Sequence, residues 1–375
     1  MTYTSPLLSQ PGSVPPPDDS HDAGVPWHFG DPFAEQRAAA RGAVVVDRSN
    51  RGLLAIPGAD RLSWLHSLTS QHFTSLADGM GTEALVLDMH GHVEHHTVVA
   101  HLDGSVWLDT EPGSAAALLS YLDSMRFWSK VEPRDASAEL AVLSLLGPAT
   151  GDVLAAMEVT LPASPYGVNV LDGPGAAGGG IVRRMPWPAL QSADLLVPRQ
   201  ELETWWGRLR DAGARPAGSM AFEALRVEAL RPRLGIDTDD RTIPHEVGWI
   251  GVAVHLEKGC YRGQETVSKV HNVGRPPRVM VLLHLDGSPD VLPETGDAVR
   301  SGDRVIGRVG TAVSHHDLGP IALALLKRSA AREGSVAGDL VAGDEDRAVA
   351  AAIDPDSIPP EKPAPGRDAA RALGR

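Results

Sequence analysis

Apolar runs as short as β-strands recur from Leu53 to Leu326, and helical patterns fall between only some of them. That irregular order constrains the fold more than any other feature. A doubly wound sheet needs strict alternation of strand and helix, so grouped strands with a few interposed helices predict an α+β architecture. Leu53–Ile56 reads as a strand stopped by Pro57-Gly58. Asp60 then stands as N-cap to a helix carrying Leu62, Leu65 and Leu68 on one face. Glu83–Asp88, His92–His101 and Ser105–Asp109 read as an antiparallel meander with turns at Met89-His90-Gly91 and Asp103-Gly104. Pro112 opens a helix with Leu118, Leu119, Leu122 and Met125 inward.

A second unit repeats this logic. Ala138–Leu146 and Asp194–Val197 are strands, Pro198 opens a helix that runs through Arg210 to Gly213, and another helix spans Met220–Leu230. After Arg278 the pattern changes to Val279–Leu285, Ala298–Arg300, Arg304–Gly310 and Ile321–Leu326, short strands joined by Gly and Asp turns. They predict a small C-terminal β-barrel of about 50 residues. The flanks look different. Residues 1–26 hold three consecutive prolines and three acids without Lys or Arg, and 330–375 are rich in Ala, Gly, Pro and Asp without periodicity. Both read as disordered tails. The folded chain is then two α+β subdomains over 27–278 and a barrel over 279–329.

The formal net charge of −14 argues against direct nucleic-acid binding by the bulk surface, since phosphate contacts need clustered Lys and Arg. No apolar stretch approaches the roughly 18–20 residues of a membrane span, and no charged-then-apolar leader opens the chain. The single cysteine excludes an intrachain disulfide framework and fits a reducing compartment, so the expected location is cytoplasmic.

That cysteine, Cys260, stands in the most informative stretch, Arg226 to Arg278. Gly259 before it permits close backbone approach, and Lys258 and Arg262 flank it. Nearby cations stabilise a thiolate, which makes a thiol more nucleophilic or a better metal ligand. From Lys258 to Arg278 the chain carries Lys258, Arg262, Lys269, Arg275 and Arg278 against the one acid Glu265, a local reversal of charge that fits anion recognition. The residues alone also allow a buried, inert cysteine. One cysteine cannot hold an iron–sulfur cluster by itself, because such clusters take four ligands, mostly thiolates.

His90, His92, His95, His96 and His101 crowd together, but strand alternation sends His92 and His96 to one face and His95 and His101 to the other. That split argues against a metal site. Glu228, near the end of its helix, is by its residue type either a solvated helix acid or a carboxylate held in a pocket, where it would suit two adjacent N–H donors of a pterin-like ring. No phosphate-cradling loop, dinucleotide fingerprint or zinc-helix motif is present.

The run Lys258-Gly259-Cys260-Tyr261-Arg262-Gly263-Gln264-Glu265 resembles the K-G-C-[YF]-x-G-Q-E signature of the YgfZ family, relatives of the glycine-cleavage T-protein and of mitochondrial iron–sulfur factors. Arg226-Val227-Glu228-Ala229, Pro232, Gly235-Ile236-Asp237 and Pro244-His245-Glu246 follow the same pattern, and the likeness covers about 27–329. The resemblance implies a T-protein-like multidomain fold whose 27–278 region binds tetrahydrofolate or a one-carbon folate derivative. It places Glu228 against the pterin, makes Cys260 the residue on which function depends, and adds Lys258, Arg262, Gln264 and His96 as cofactor-binding residues. It also implies iron–sulfur proteins or assembly factors as partners, with tRNA modification affected through them. T-proteins carry an acidic pair in the second strand of the meander, where this chain has His95 and His96. A neutral imidazole accepts a proton without a carboxylate's charge, which counts against aminomethyl transfer. A tetrahydrofolate-dependent aminomethyl- or methyltransferase remains the alternative, and a non-catalytic docking module with an acidic surface is a third reading.

Overall fold

Leu140–Leu146 is buried at every position, because both faces of its sheet are covered. Leu143 and Leu145 join a core with Trp205 and Trp206, while Leu140 and Val142 join another with Leu53, Ala55 and Ala100. That two-sided burial is why the run is continuously apolar rather than alternating. The computed structural model describes residues 3–171, 179–189, 191–272, 274–337 and 340–360. The sheet orders its strands Arg215–Ala217, Val44–Asp47, Leu140–Leu146, Ser192–Pro198, Gly180–Met185 and Val168–Leu171. Its first pair is parallel and the rest antiparallel. A five-stranded sheet follows the order Met80–Leu87, Val93–Leu102, Ser105–Thr110, Gly52–Pro57 and Arg134–Asp135, which contains the expected meander.

The chain forms two units. One takes residues 3–66, 73–83 and 97–229, the other 67–72, 84–96 and 230–360, so strands Met80–Leu87 and Val93–Leu102 change unit along their length. In the first unit, fully buried Arg183 donates through Nη2 to Asp109 and Asp194, both at 2.7 Å, and Arg51 also pairs with Asp109. Burial alone would raise the Asp109 pKa, but Arg51 and Arg183 hold it below the usual carboxylate range.

The second unit contains a closed antiparallel barrel, ordered Arg278–Leu285, Gly319–Lys327, Arg304–His315, Ala298–Ser301, Leu340–Ala342 and Val349–Ile353. The fold class is therefore α+β with a C-terminal barrel, as the sequence indicates. The barrel's extent differs from the expectation. Its last two strands lie in the segment read as a tail, and Leu283 pairs with Ile353 to close it. Val349, Ala351 and Ile353 point inward while Ala350 and Ala352 point out. Alanine on both faces hides the period-two signal. Residues 361–375 of that expected tail lie outside the described residues.

The amino-terminal expectation changes too. Leu7 is fully buried in the first unit's core, Ser5 Oγ donates to Asp47 at 2.5 Å, and Tyr3 OH donates to Ser49 at 2.8 Å. Pro6 opens a short 3-10 helix, Pro6–Ser9, and its Leu7 anchors the segment. The helix expected after Asp60 does start there, at Arg61–Leu68, although Asp60's carboxylate accepts the Lys130 N–H. Two other helix starts move: after Pro198 a 3-10 turn Arg199–Glu201 precedes the α-helix Leu202–Asp211. Gly113 takes φ +80, which no helix allows, so the helix expected there begins at Ala115 rather than Pro112. Among the described residues no helix is long and apolar enough to cross a membrane.

Candidate functional site

Cys260 is exposed, on the loop that leads into helix Gln264–Asn272. The loop is built by contacts on both sides of the thiol. Gly263 has φ +81, and a Cβ there would lie 2.6 Å from the Asp88 carbonyl and 2.9 Å from Gly91 Cα. Gly91, at φ +83 in the meander turn, leaves 2.9 Å between such a Cβ and Thr266 Cβ. Two glycines therefore let this loop and that turn touch backbone to backbone.

Polar groups complete the brace. Lys258, 5% exposed, donates through Nζ to Thr69 O at 2.6 Å and Gln71 O at 3.2 Å, and lies 5.0 Å from the Tyr261 ring centroid. Burial lowers its pKa to about 8, and burial also pushes the Tyr261 phenol up to about 12. Gln264 Nε2 donates back to Lys258 O at 3.2 Å. Arg262 forks onto Glu94 at 2.9 and 3.3 Å. Arg278, first in the barrel, binds Glu246 and Asp239 at 2.5–3.1 Å through four hydrogen bonds. So three of the five cations around the thiol are occupied by named carbonyls or carboxylates. The basic run is a set of tethers more than a bare positive patch.

Where Arg262 and Glu94 meet, the pair is partly exposed, and such pairs contribute only about 0–1 kcal/mol. Its value is positional: it ties the residue two beyond Cys260 to the meander strand. Glu94 and Trp249 lie outside the site residues that the sequence marks. Glu94 had a signal, as an acid directly before His95-His96 with an arginine in the cysteine motif to meet. Trp249 had none, because its role depends on a fold contact.

His96 is 7% exposed and stacks on Trp249, ring centroids 4.9 Å apart and 11° from parallel. His95 is half-buried, and burial lowers its pKa. The other histidines go elsewhere: His92 Nδ1 lies 2.9 Å from Asp88 Oδ2, and His101 Nε2 lies 2.9 Å from Arg61 Nη2. Cys260, Lys258, Arg262, Gln264 and His96 all belong to the second unit. Glu228 belongs to the first, where it ends helix Ser219–Glu228 with an exposed side chain; Leu230, at φ +54, prevents the helix from continuing. Its exposure matches a solvated helix acid rather than a carboxylate held in a pocket.

Comparison with known proteins identifies relatives of the chain. The model of the GCVT N-terminal domain matches residues 24–258. A chloroplastic protein of Arabidopsis thaliana carrying a provisional transferase name is 26% identical over 305 residues, covering 78% of this chain and 67% of that one. An aminomethyltransferase of Herpetosiphon aurantiacus is 25% identical over 317 residues, covering 83% and 86%. The crystal structure of the glycine cleavage system aminomethyltransferase T from Bartonella henselae superposes with a TM-score of 0.81 at 17% identity, covering 96% of this chain and 98% of that one, a likeness of fold. The chain belongs to the family defined by the GCVT N-terminal domain.

Proposed function

We propose that this chain is a folate-binding protein of the YgfZ type that supports iron–sulfur cluster assembly or repair through Cys260. One observation carries the reading: the only thiol is exposed on a loop that Lys258, Gln264, Arg262 and Gly263 brace. A purely structural cysteine would be buried. The cluster is cargo here, and its remaining ligands come from the partner, an iron–sulfur protein or assembly factor. Glu228 would hold the pterin of tetrahydrofolate or a one-carbon folate. Lys258, Arg262 and Gln264 shape the thiol loop, and His96 is fixed by Trp249. The setting is the cytoplasm, without nucleic acid or membrane as direct partner, and effects on tRNA modification follow from the client enzymes. Replacing Cys260 by Ala should leave thermal stability unchanged and lower iron–sulfur enzyme activity in cells that depend on this chain. Full activity in that variant would remove the thiol from the mechanism.

The aminomethyltransferase relatives favour a second reading, a tetrahydrofolate-dependent aminomethyl- or methyltransferase. His95 and His96 stand against it, since neither supplies the negative charge of the acidic pair. Incubation with methylene- or methyltetrahydrofolate and candidate acceptors separates the two, because one-carbon transfer to an acceptor is expected only of the transferase.

A further inference from the structure

Arg37 and Arg41 lie four residues apart on helix Pro32–Arg41 and so share one face. Arg215 starts strand Arg215–Ala217, and its N–H donates to Ala43 O at 2.9 Å just beyond that helix. The three arginines line a cleft of about 320 Å³, with Ala38, Gly42 and Gly213 between them. Its lining contains no acidic side chain, in a chain where 48 acids outnumber 34 bases. The nearest paired acid is Asp31, 3.6 Å from Arg37; it is 60% exposed and its other oxygen caps the helix. Helix stability accounts for one of these charges, since Arg41 in the last turn complements the dipole. It does not account for Arg37, which forms with Arg41 a like-charged pair four apart that weakens a helix, or for Arg215, which lies on a strand.

The rest of the lining is alanine and glycine. Nothing there can stack on a base or hold an acyl chain, so recognition falls to charge and to guanidinium forks, whose geometry matches phosphate oxygens. We propose that this cleft binds a compact polyphosphate group, either free or as the end of a nucleotide. Isothermal titration of the full chain with inorganic triphosphate tests it, with ATP and hexaglutamate as parallel arms. Binding of triphosphate and ATP with similar affinity is expected, as is weakening of each when salt rises from about 0.05 to about 0.2 M. Arg41→Ala and Arg215→Ala should each weaken binding about tenfold, the scale of one charge-assisted hydrogen bond. Arg37→Ala should do less, because Asp31 already engages that side chain. All three are surface changes, and an unchanged thermal midpoint verifies the fold. No binding by the wild-type chain at about 1 mM triphosphate would overturn the proposal. So would unchanged affinity in the triple variant, a strong preference for ATP over triphosphate, or tighter binding of hexaglutamate, which would assign the cleft to an acidic peptide.

Discussion

Arg278 is a side chain whose removal the structure penalises on two counts, a buried carboxylate and a pH-dependent one. Its guanidinium spans Asp239 and Glu246, tying the 3-10 turn Pro244–Glu246 to the first barrel strand. The Glu246 side chain is 1% exposed, so Arg278→Met leaves a buried carboxylate without its cation. Breaking a buried pair from one side costs about 3–5 kcal/mol. Glu246 keeps one hydrogen bond from the Ile243 N–H, which favours the lower half of that range. The loss has a pH signature. Burial alone would raise the Asp239 pKa, yet hydrogen bonds from Arg278 and Thr242 bring it from 3.8 to about 2. A carboxylate with a lowered folded-state pKa stabilises the fold above its unfolded value, and that stabilisation disappears as pH falls towards the folded one. At about 1.4 kcal/mol per unit, and discounted because solvent reaches this partly exposed carboxylate, Asp239 contributes about 1–2 kcal/mol that vanishes between about pH 4 and pH 2. Urea unfolding followed by circular dichroism should therefore show Arg278→Met about 3–4 kcal/mol less stable at pH 7, with the gap narrowing by about 1 kcal/mol in acid, since Thr242 and the Arg241 N–H still bind Asp239 in the variant. Arg278→Lys should fall between, because one ammonium cannot serve two carboxylates as a fork does. A gap below about 1 kcal/mol at pH 7, or one that widens in acid, would refute the reasoning.

Other consequences follow from the same contacts. Gly263→Ala places a Cβ against the Asp88 carbonyl in a left-handed conformation, so it should destabilise by about 2 kcal/mol. It should also raise the reaction rate of Cys260 with a thiol reagent, and an unchanged rate would mean that the loop is not braced by that glycine. Deleting residues 1–12 removes Leu7 and the Ser5 bond to Asp47, and should cost about 3 kcal/mol in urea unfolding. A disposable tail would cost nothing. Ending the chain at Ala337 removes strands Leu340–Ala342 and Val349–Ile353, leaving open edges on Arg278–Leu285 and Ala298–Ser301. Light scattering should then report aggregation, whereas a monodisperse protein would show that the barrel does not need its last two strands.

Much of this fold is legible in the sequence where a single local rule decides. The meander turns carry glycines, and the Gly91 and Gly104 positions do adopt positive φ. The helix end at Gly213 follows from a residue that stops a helix, whereas the next helix ends at Glu228, two residues before the expected Leu230, which takes φ +54. What the sequence conceals depends on distant partners. Nothing local distinguishes Leu7 in a proline-rich segment from a leucine in a tail. Val349–Ile353 is alternating, but with alanine on both faces the alternation carries no polarity contrast. The thiol loop is legible as a motif, yet its cations look like an anion site until Thr69, Gln71, Glu94, Asp239 and Glu246 are seen to engage them. Those partners are 32 or more residues away in sequence, as in the bonds of Arg278 and Lys258.

The most direct measurement is a calorimetric titration of tetrahydrofolate into the wild-type chain and into Glu228→Ala. Saturable binding is expected for the wild type, weakened by about 10–100-fold in the variant, the range for a lost hydrogen bond to a charged group. Binding in Cys260→Ala should match the wild type. An absence of binding by the wild-type chain, or equal binding by Glu228→Ala, would contradict the account at its centre.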